Sequence, residues 1–199
     1  MEKAISALCD MLIKRLVIAE EDREVDEYCF NVLAITLIFY SGAFLIMCYY
    51  HCFFLPLVYT AIYLLLRRYM GGWHANTTLA CMISSLLLFT AVVNLILYPD
   101  ITIQEKVIFS GFSVLFNTVV LLYFGIQDHP NRRLTQKGKV IAKRNALILL
   151  AIIFFLMVIF VFVGWFDIMF SMALACFAAT TLLLLAKFRE KGKDVYETQ

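Results

Sequence analysis

The chain has 199 residues, of which 63% are hydrophobic and 16% charged, with a net charge of +2 and a mean hydropathy of +0.85. A soluble globular domain carries about 25% charged residues, so this composition excludes a domain whose surface faces water. Lipid replaces water as solvent for most of the chain, which predicts one all-α integral membrane domain over residues 1–199.

The first 27 residues are rich in acid, with Glu20, Glu21, Asp22, Glu24, Asp26 and Glu27 in close succession. A basic region followed by a cleavable apolar stretch is absent, so the first apolar run is expected to be an uncleaved anchor. Ile5, Leu8, Leu12, Leu16 and Ala19 recur at helical spacing. They predict an amphipathic helix on the inner membrane face, or equally a packing cap under the bundle. The run Glu20-Glu21-Asp22-Arg23-Glu24 reads as a solvated connection.

Six apolar runs follow: 28–50, 52–66, 77–98, 107–126, 146–163 and 165–186. Their breaks carry punctuation at Arg67-Arg68 and Gly71-Gly72, at Pro99-Asp100, at Pro130-Asn131 and at Gly164. Spanning the hydrocarbon takes about 20 residues. The second run is therefore short, reaching roughly 22 Å as a helix, and the chain beyond Leu66 is expected to remain below headgroup level with Arg67 and Arg68 reaching outward. Loop Lys and Arg set orientation. Under this six-span partition every Lys and Arg except Lys106 falls on one side, which predicts both termini in the cytoplasm.

The least ordinary stretch is Arg67-Arg68-Tyr69-Met70-Gly71-Gly72-Trp73-His74-Ala75-Asn76-Thr77-Thr78-Leu79-Ala80-Cys81. A thiol nucleophile needs a base within hydrogen-bond reach and surroundings that favour thiolate. His74 is the candidate base, and the arginines add positive potential. On one continuous helix, residues seven apart lie roughly 10 Å apart along the axis, too far for contact. Asn76-Thr77-Thr78 reads instead as a helix start, leaving His74 on a preceding loop that folds back toward Cys81. A histidine and a cysteine near a membrane edge also suit plain packing roles, and the residues alone leave both readings open. The other cysteines, Cys9, Cys29, Cys48, Cys52 and Cys176, read as small apolar fillers. No metal-ligand pattern is present in the sequence, and neither cofactor nor metal is expected.

The spacing Arg67…Gly72-Trp73-His74…Cys81, with Asp128-His129-Pro130-Asn131-Arg132 opening the basic loop, resembles the accessory gene regulator B (AgrB) membrane peptidases of quorum sensing in Gram-positive bacteria. The resemblance covers essentially the whole chain; Arg133 departs from the proline that many members carry. It implies a cysteine endopeptidase in the cell membrane that cuts the C-terminal tail from an AgrD-like precursor peptide. The core is cyclised through an acyl-enzyme thioester, with His74 and Cys81 catalytic and Arg67, Arg68 and Gly72 binding substrate. Asn76 and Ser84 are candidates for a third member that orients His74. Expected partners are the precursor, membrane lipid and, by resemblance alone, a second copy of the chain, but not nucleic acid; Gly111 and Gly125 are too far apart for a GxxxG seam. A non-catalytic membrane scaffold and a small transporter for a signalling peptide are the alternatives, the latter disfavoured because no span interior holds an ionisable residue. A reporter fused after Lys106 is expected to behave as extracellular, and one after Lys139 or at Gln199 as cytoplasmic. An extracellular signal after Lys139 would overturn the six-span partition.

Overall fold

The computed structural model describes residues 2–15, 20–72, 77–127 and 135–197. Seven α-helices and one short 3-10 helix make up the described residues, and no strand occurs among them. The helices are α1 (Glu2–Lys14), α2 (Arg23–Tyr49), α3 (Phe54–Met70), α4 (Thr78–Leu97), α5 (Ile103–Phe124), α6 (Gln136–Val163) and α7 (Phe166–Glu197), with the 3-10 turn at Glu20–Asp22. Segments containing α2, α4, α5, α6 and α7 are long and apolar enough to cross a membrane. At 17 residues α3 is the short one, about 25 Å from end to end.

Several helices outrun their apolar cores, each for a local reason. Both arginines extend α3 as its last turn, where cations suit the negative end of the helix. The chain after Leu66 therefore continues as helix for another turn and stops at Gly71. Helix α5 starts four residues before Val107 because Thr102 and Glu105 form a reciprocal capping box: the Glu105 N–H donates to the Thr102 hydroxyl (3.3 Å) and the Thr102 N–H to the Glu105 carboxylate (2.8 Å). Helix α6 starts at Gln136, inside the basic loop, with the Thr135 hydroxyl accepting from Gly138 N–H. Gly164, left-handed at φ +83°, ends α6.

The chain divides into two compact units. The first holds α1, α2 and the start of α4. Here Arg23, its side chain 42% exposed, donates from Nη2 to Asp10 Oδ1 (2.8 Å) and Ser6 Oγ (3.2 Å), linking α1 to α2 beside fully buried Cys9. Leu16 and Ala19 of the expected amphipathic face lie outside the described residues. Gly42 of α2 meets Leu86 of α4, whose Cδ2 lies 3.1 Å from where a Cβ would stand. Most other α2 side chains are exposed, Leu45 and Leu37 among them, as befits a surface solvated by acyl chains.

The second unit holds α3, the rest of α4, α5, α6 and α7. Helix α7 is its post and packs against α3, α5 and α6. From Met169 to Thr180 every residue but Phe177 is buried, and most are small: Ser171, Ala173, Ala175, Cys176, Ala178 and Ala179. Small side chains let helix backbones approach where lipid offers no hydrophobic drive for association. Outward-facing residues on the neighbouring helices, such as Ile108 (71% exposed) and Phe162 (86%), are apolar instead.

Polar groups bind the post at intervals. At one end Lys106 Nζ pairs with Asp167 Oδ1 at 2.6 Å, and nearby Ser171 Oγ donates to the Leu55 carbonyl at 2.6 Å. Midway, fully buried Asn117 donates from Nδ2 to the Cys176 carbonyl (3.1 Å), which also accepts from Thr180 Oγ1 (2.8 Å). At the far end of α5, Lys143 Nζ on α6 donates to the Leu122 carbonyl (3.0 Å). A hydrogen bond between helices in lipid contributes about 0.6–2 kcal/mol, and truncating a filled site adds a cavity cost. Asn117→Ala is therefore expected to destabilise the protein by about 1–2 kcal/mol in a denaturant titration of the lipid-reconstituted protein. An unchanged midpoint would show that the Asn117 bond is not a fastening.

Candidate functional site

Two segments of this chain carry chemistry-bearing residues, and the second unit holds the described residues from which both depart. The first follows α3. Along one face of that helix Tyr59, Tyr63 and Arg67 stand four residues apart. The two rings stack with centroids 5.7 Å apart and planes 10° from parallel. Arg67 Nη1 donates to the Tyr63 hydroxyl at 2.6 Å. One donor of the guanidinium is thereby fixed on a ring that is itself packed against buried Tyr59. Arg68, one position on, is exposed.

Gly71 closes α3, its N–H donating to the Arg67 carbonyl at 3.0 Å. Its φ of +74° lies in the left-handed region that only glycine enters freely, and a Cβ there would overlap the carbonyl oxygen of Gln127. The Gln127 N–H in turn donates to the Met70 carbonyl at 2.8 Å. Gly72 follows, with Arg67 Nε 3.9 Å and Leu182 Cβ 3.7 Å from where its Cβ would project. The structure thus brings Arg67 and Gly72 together. His74 and Asn76 lie outside the described residues, as does the Asp128-His129-Pro130-Asn131-Arg132 element with Arg133.

Cys81 lies in the first turn of α4, in the first unit. Thr77 caps the helix, its hydroxyl accepting from Ala80 N–H at 3.3 Å, and the Cys81 N–H closes the first turn on the Thr77 carbonyl at 3.0 Å. The helix start expected near Asn76 is thus realised with Thr77 as cap and Thr78 as the first helical residue. The amino end of a helix carries partial positive charge that stabilises an anion. Cys81 is half-buried, sheltered yet not sealed. Ser84 donates its hydroxyl to the Cys81 carbonyl at 3.0 Å, which engages that proton within the helix.

Cys9 and Cys176 are poorer candidates. Cys9 is fully buried, and burial together with the Glu27 and Asp26 carboxylates pushes its thiol up; a thiol held protonated is no nucleophile. Cys176 is fully buried within α7. Among the described residues no cluster of His, Cys, Asp and Glu could hold a metal ion.

The accessory gene regulator B family model matches residues 5–185. The chain belongs to the AgrB family. Members of this family process AgrD quorum-sensing peptides, so a role in peptide processing with an AgrD-type precursor as partner follows from membership. No curated protein and no solved structure matches the chain. The matched span takes in Arg67, Gly72, His74 and Cys81. Gly71 was not singled out among the expected site residues, although the structure places the steric demand for glycine there. The only sequence signal for it is the doubled glycine, which does not say which member is pressed against another segment.

Proposed function

We propose that this AgrB-family chain is a membrane cysteine endopeptidase that releases the C-terminal tail of an AgrD-like precursor and cyclises the remaining core. On this reading it crosses the cell membrane six times with both termini in the cytoplasm. The supporting observation is the family match across the Arg67–Cys81 motif, joined to the place of Cys81 in the capped first turn of α4.

His74 removes the Cys81 thiol proton, and the thiolate attacks the carbonyl that joins core to tail. The tetrahedral intermediate collapses with cleavage of the C–N bond. The departing amine takes the proton from His74, and the core remains on Cys81 as a thioester. A thiol or hydroxyl within the core then gives its proton to His74 and attacks that thioester, closing the ring and releasing Cys81 as thiolate, which His74 reprotonates. Intramolecular attack outruns water because the nucleophile is already tethered, an advantage that corresponds to high effective molarity. Exclusion of water at a membrane-edge site favours the same outcome. Arg67 and Arg68, with the basic start of α6, attract an acidic tail through charge.

Cys81→Ala is expected to abolish tail release. Cys81→Ser is expected to retain only a trace, because a base matched to a thiol ionises a hydroxyl poorly. With a precursor lacking its internal nucleophile, intact mass should show the core attached to wild-type protein and lost on treatment with hydroxylamine. Repeated turnover by Cys81→Ala would sink the assignment, and a linear core as the main product from native precursor would sink cyclisation alone.

Capture is tested separately. A charge-assisted hydrogen bond is worth about 1.5–3 kcal/mol, so Arg67→Gln should raise the precursor concentration needed for half-maximal rate by about tenfold or more. That penalty should shrink as salt screens the remaining charges. Unchanged kinetics at several salt concentrations would remove Arg67 from substrate binding.

A further inference from the structure

We propose that Gly71 is a positioning residue for tail cleavage, acting through a backbone junction with Gln127 that fixes the start of the segment bearing His74. The inference rests on the reading of Cys81 and His74 as a catalytic pair.

The junction consists of two contacts between the same two segments. The Gln127 N–H donates to the Met70 carbonyl at 2.8 Å, and the Gln127 carbonyl oxygen occupies the space a Cβ on residue 71 would need. Each partner requires the other. Met70 sits at the carboxyl end of α3, where carbonyls have no partner within the helix, and its side chain is fully buried. Gln127 follows the end of α5, and its N–H would pay a desolvation cost if left unmade in an apolar setting. Leu66 and Met70 on one side and Leu121 and Ile126 on the other belong to a single buried cluster. The junction therefore rests on the core of the second unit and cannot drift without disturbing it.

Comparison with the other left-handed glycines isolates what is particular to this one. Gly125 and Gly164 have φ of +68° and +83°, close to the +74° of Gly71, yet a Cβ on either would meet nothing within 4 Å. They satisfy a backbone conformation alone. Gly71 shares the backbone conformation of Gly125, with ψ of −157° and −161°, and also permits one segment to press against another.

Its consequence is a limit on reach. His74 is three residues beyond Gly71 in the sequence, and three residues span at most about 11 Å. Asp128 adjoins Gln127, and Arg132 comes five residues after it. The histidine segment and the basic segment thus depart from one fixed point, and displacing that point displaces both origins. A misplacement of about 1 Å in a catalytic group can cost about a hundredfold in rate.

The test uses the full chain in lipid and compares wild type, Gly71→Ala, Gly164→Ala and His74→Ala. Two quantities are read: the kinetics of tail release, and the rate at which iodoacetamide alkylates Cys81, followed by mass spectrometry of the Cys81 peptide. Gly71→Ala is expected to lose about a hundredfold in kcat with KM changed less than about threefold, and its Cys81 alkylation should fall to the rate of His74→Ala. Gly164→Ala, which strains a positive-φ position with no segment pressed against it, should match wild type in both. If Gly71→Ala does not fold, Gln127→Pro serves in its place, because it deletes the donor to Met70 without adding a Cβ at residue 71. Wild-type alkylation and kcat in either folded variant would overturn the inference, as would an equal loss in Gly164→Ala. If His74→Ala alkylates as fast as wild type, the pairing of His74 with Cys81 fails, and the inference falls with it; a slow His74→Ala beside a fast Gly71→Ala removes the inference alone.

Discussion

Close approach of α7 to its neighbours is the constraint on which the second unit depends. In lipid, side chains gain nothing by leaving water, so helices hold together through contact and a few hydrogen bonds. Helix α7 supplies contact with a run of small residues, a hydrogen bond from Ser171 to the carbonyl of Leu55, and the Cys176 carbonyl that accepts from Asn117. Because α3 and α5 both lie against this post, their carboxyl ends are brought to the same end of the unit. There the backbones of Met70 and Gln127 meet, and Lys143 closes the neighbouring carbonyl of Leu122. The chemistry-bearing segments begin where they do because α7 is thin.

Rigidity is therefore distributed unevenly. The start of the histidine segment is anchored on a buried cluster, while Arg67 is steadied by Tyr63 and, behind it, Tyr59. A guanidinium already bound to a neighbouring hydroxyl has less rotamer freedom to lose when it meets a carboxylate. The first unit is built differently: α1 is linked to α2 through Arg23, and much of α2 is exposed apolar surface.

Much of this was legible in the residues. The apolar runs, the punctuation between them and the motif from Arg67 to Cys81 identify a helical membrane protein and a family, and Asn76-Thr77-Thr78 marked the start of α4. Helix ends were less legible because hydropathy reports lipid, not helix. Thr102 and Thr135 begin α5 and α6 outside their apolar cores, and α3 runs past Leu66 because arginine is a good helix former with a favourable place in a last turn. The bonds of Arg23 to Ser6 and Asp10 were hidden because those partners lie on another helix. Gly71 was hidden for the same kind of reason: a glycine pair announces a turn, but only the neighbouring Gln127 carbonyl shows that a missing side chain is being used.

The Lys106–Asp167 pair bears on how the molecule meets an electric field. A charge carried fully across a membrane gains or loses about 2.3 kcal/mol per 100 mV. Lys106 and Asp167, 2.6 Å apart on α5 and α7, sum to no net charge, so a transmembrane voltage does almost no work on that pair. The opposite end holds Arg67, Arg68, Lys143 and Arg144. A transmembrane voltage therefore acts on these cations while leaving the Lys106–Asp167 pair almost untouched.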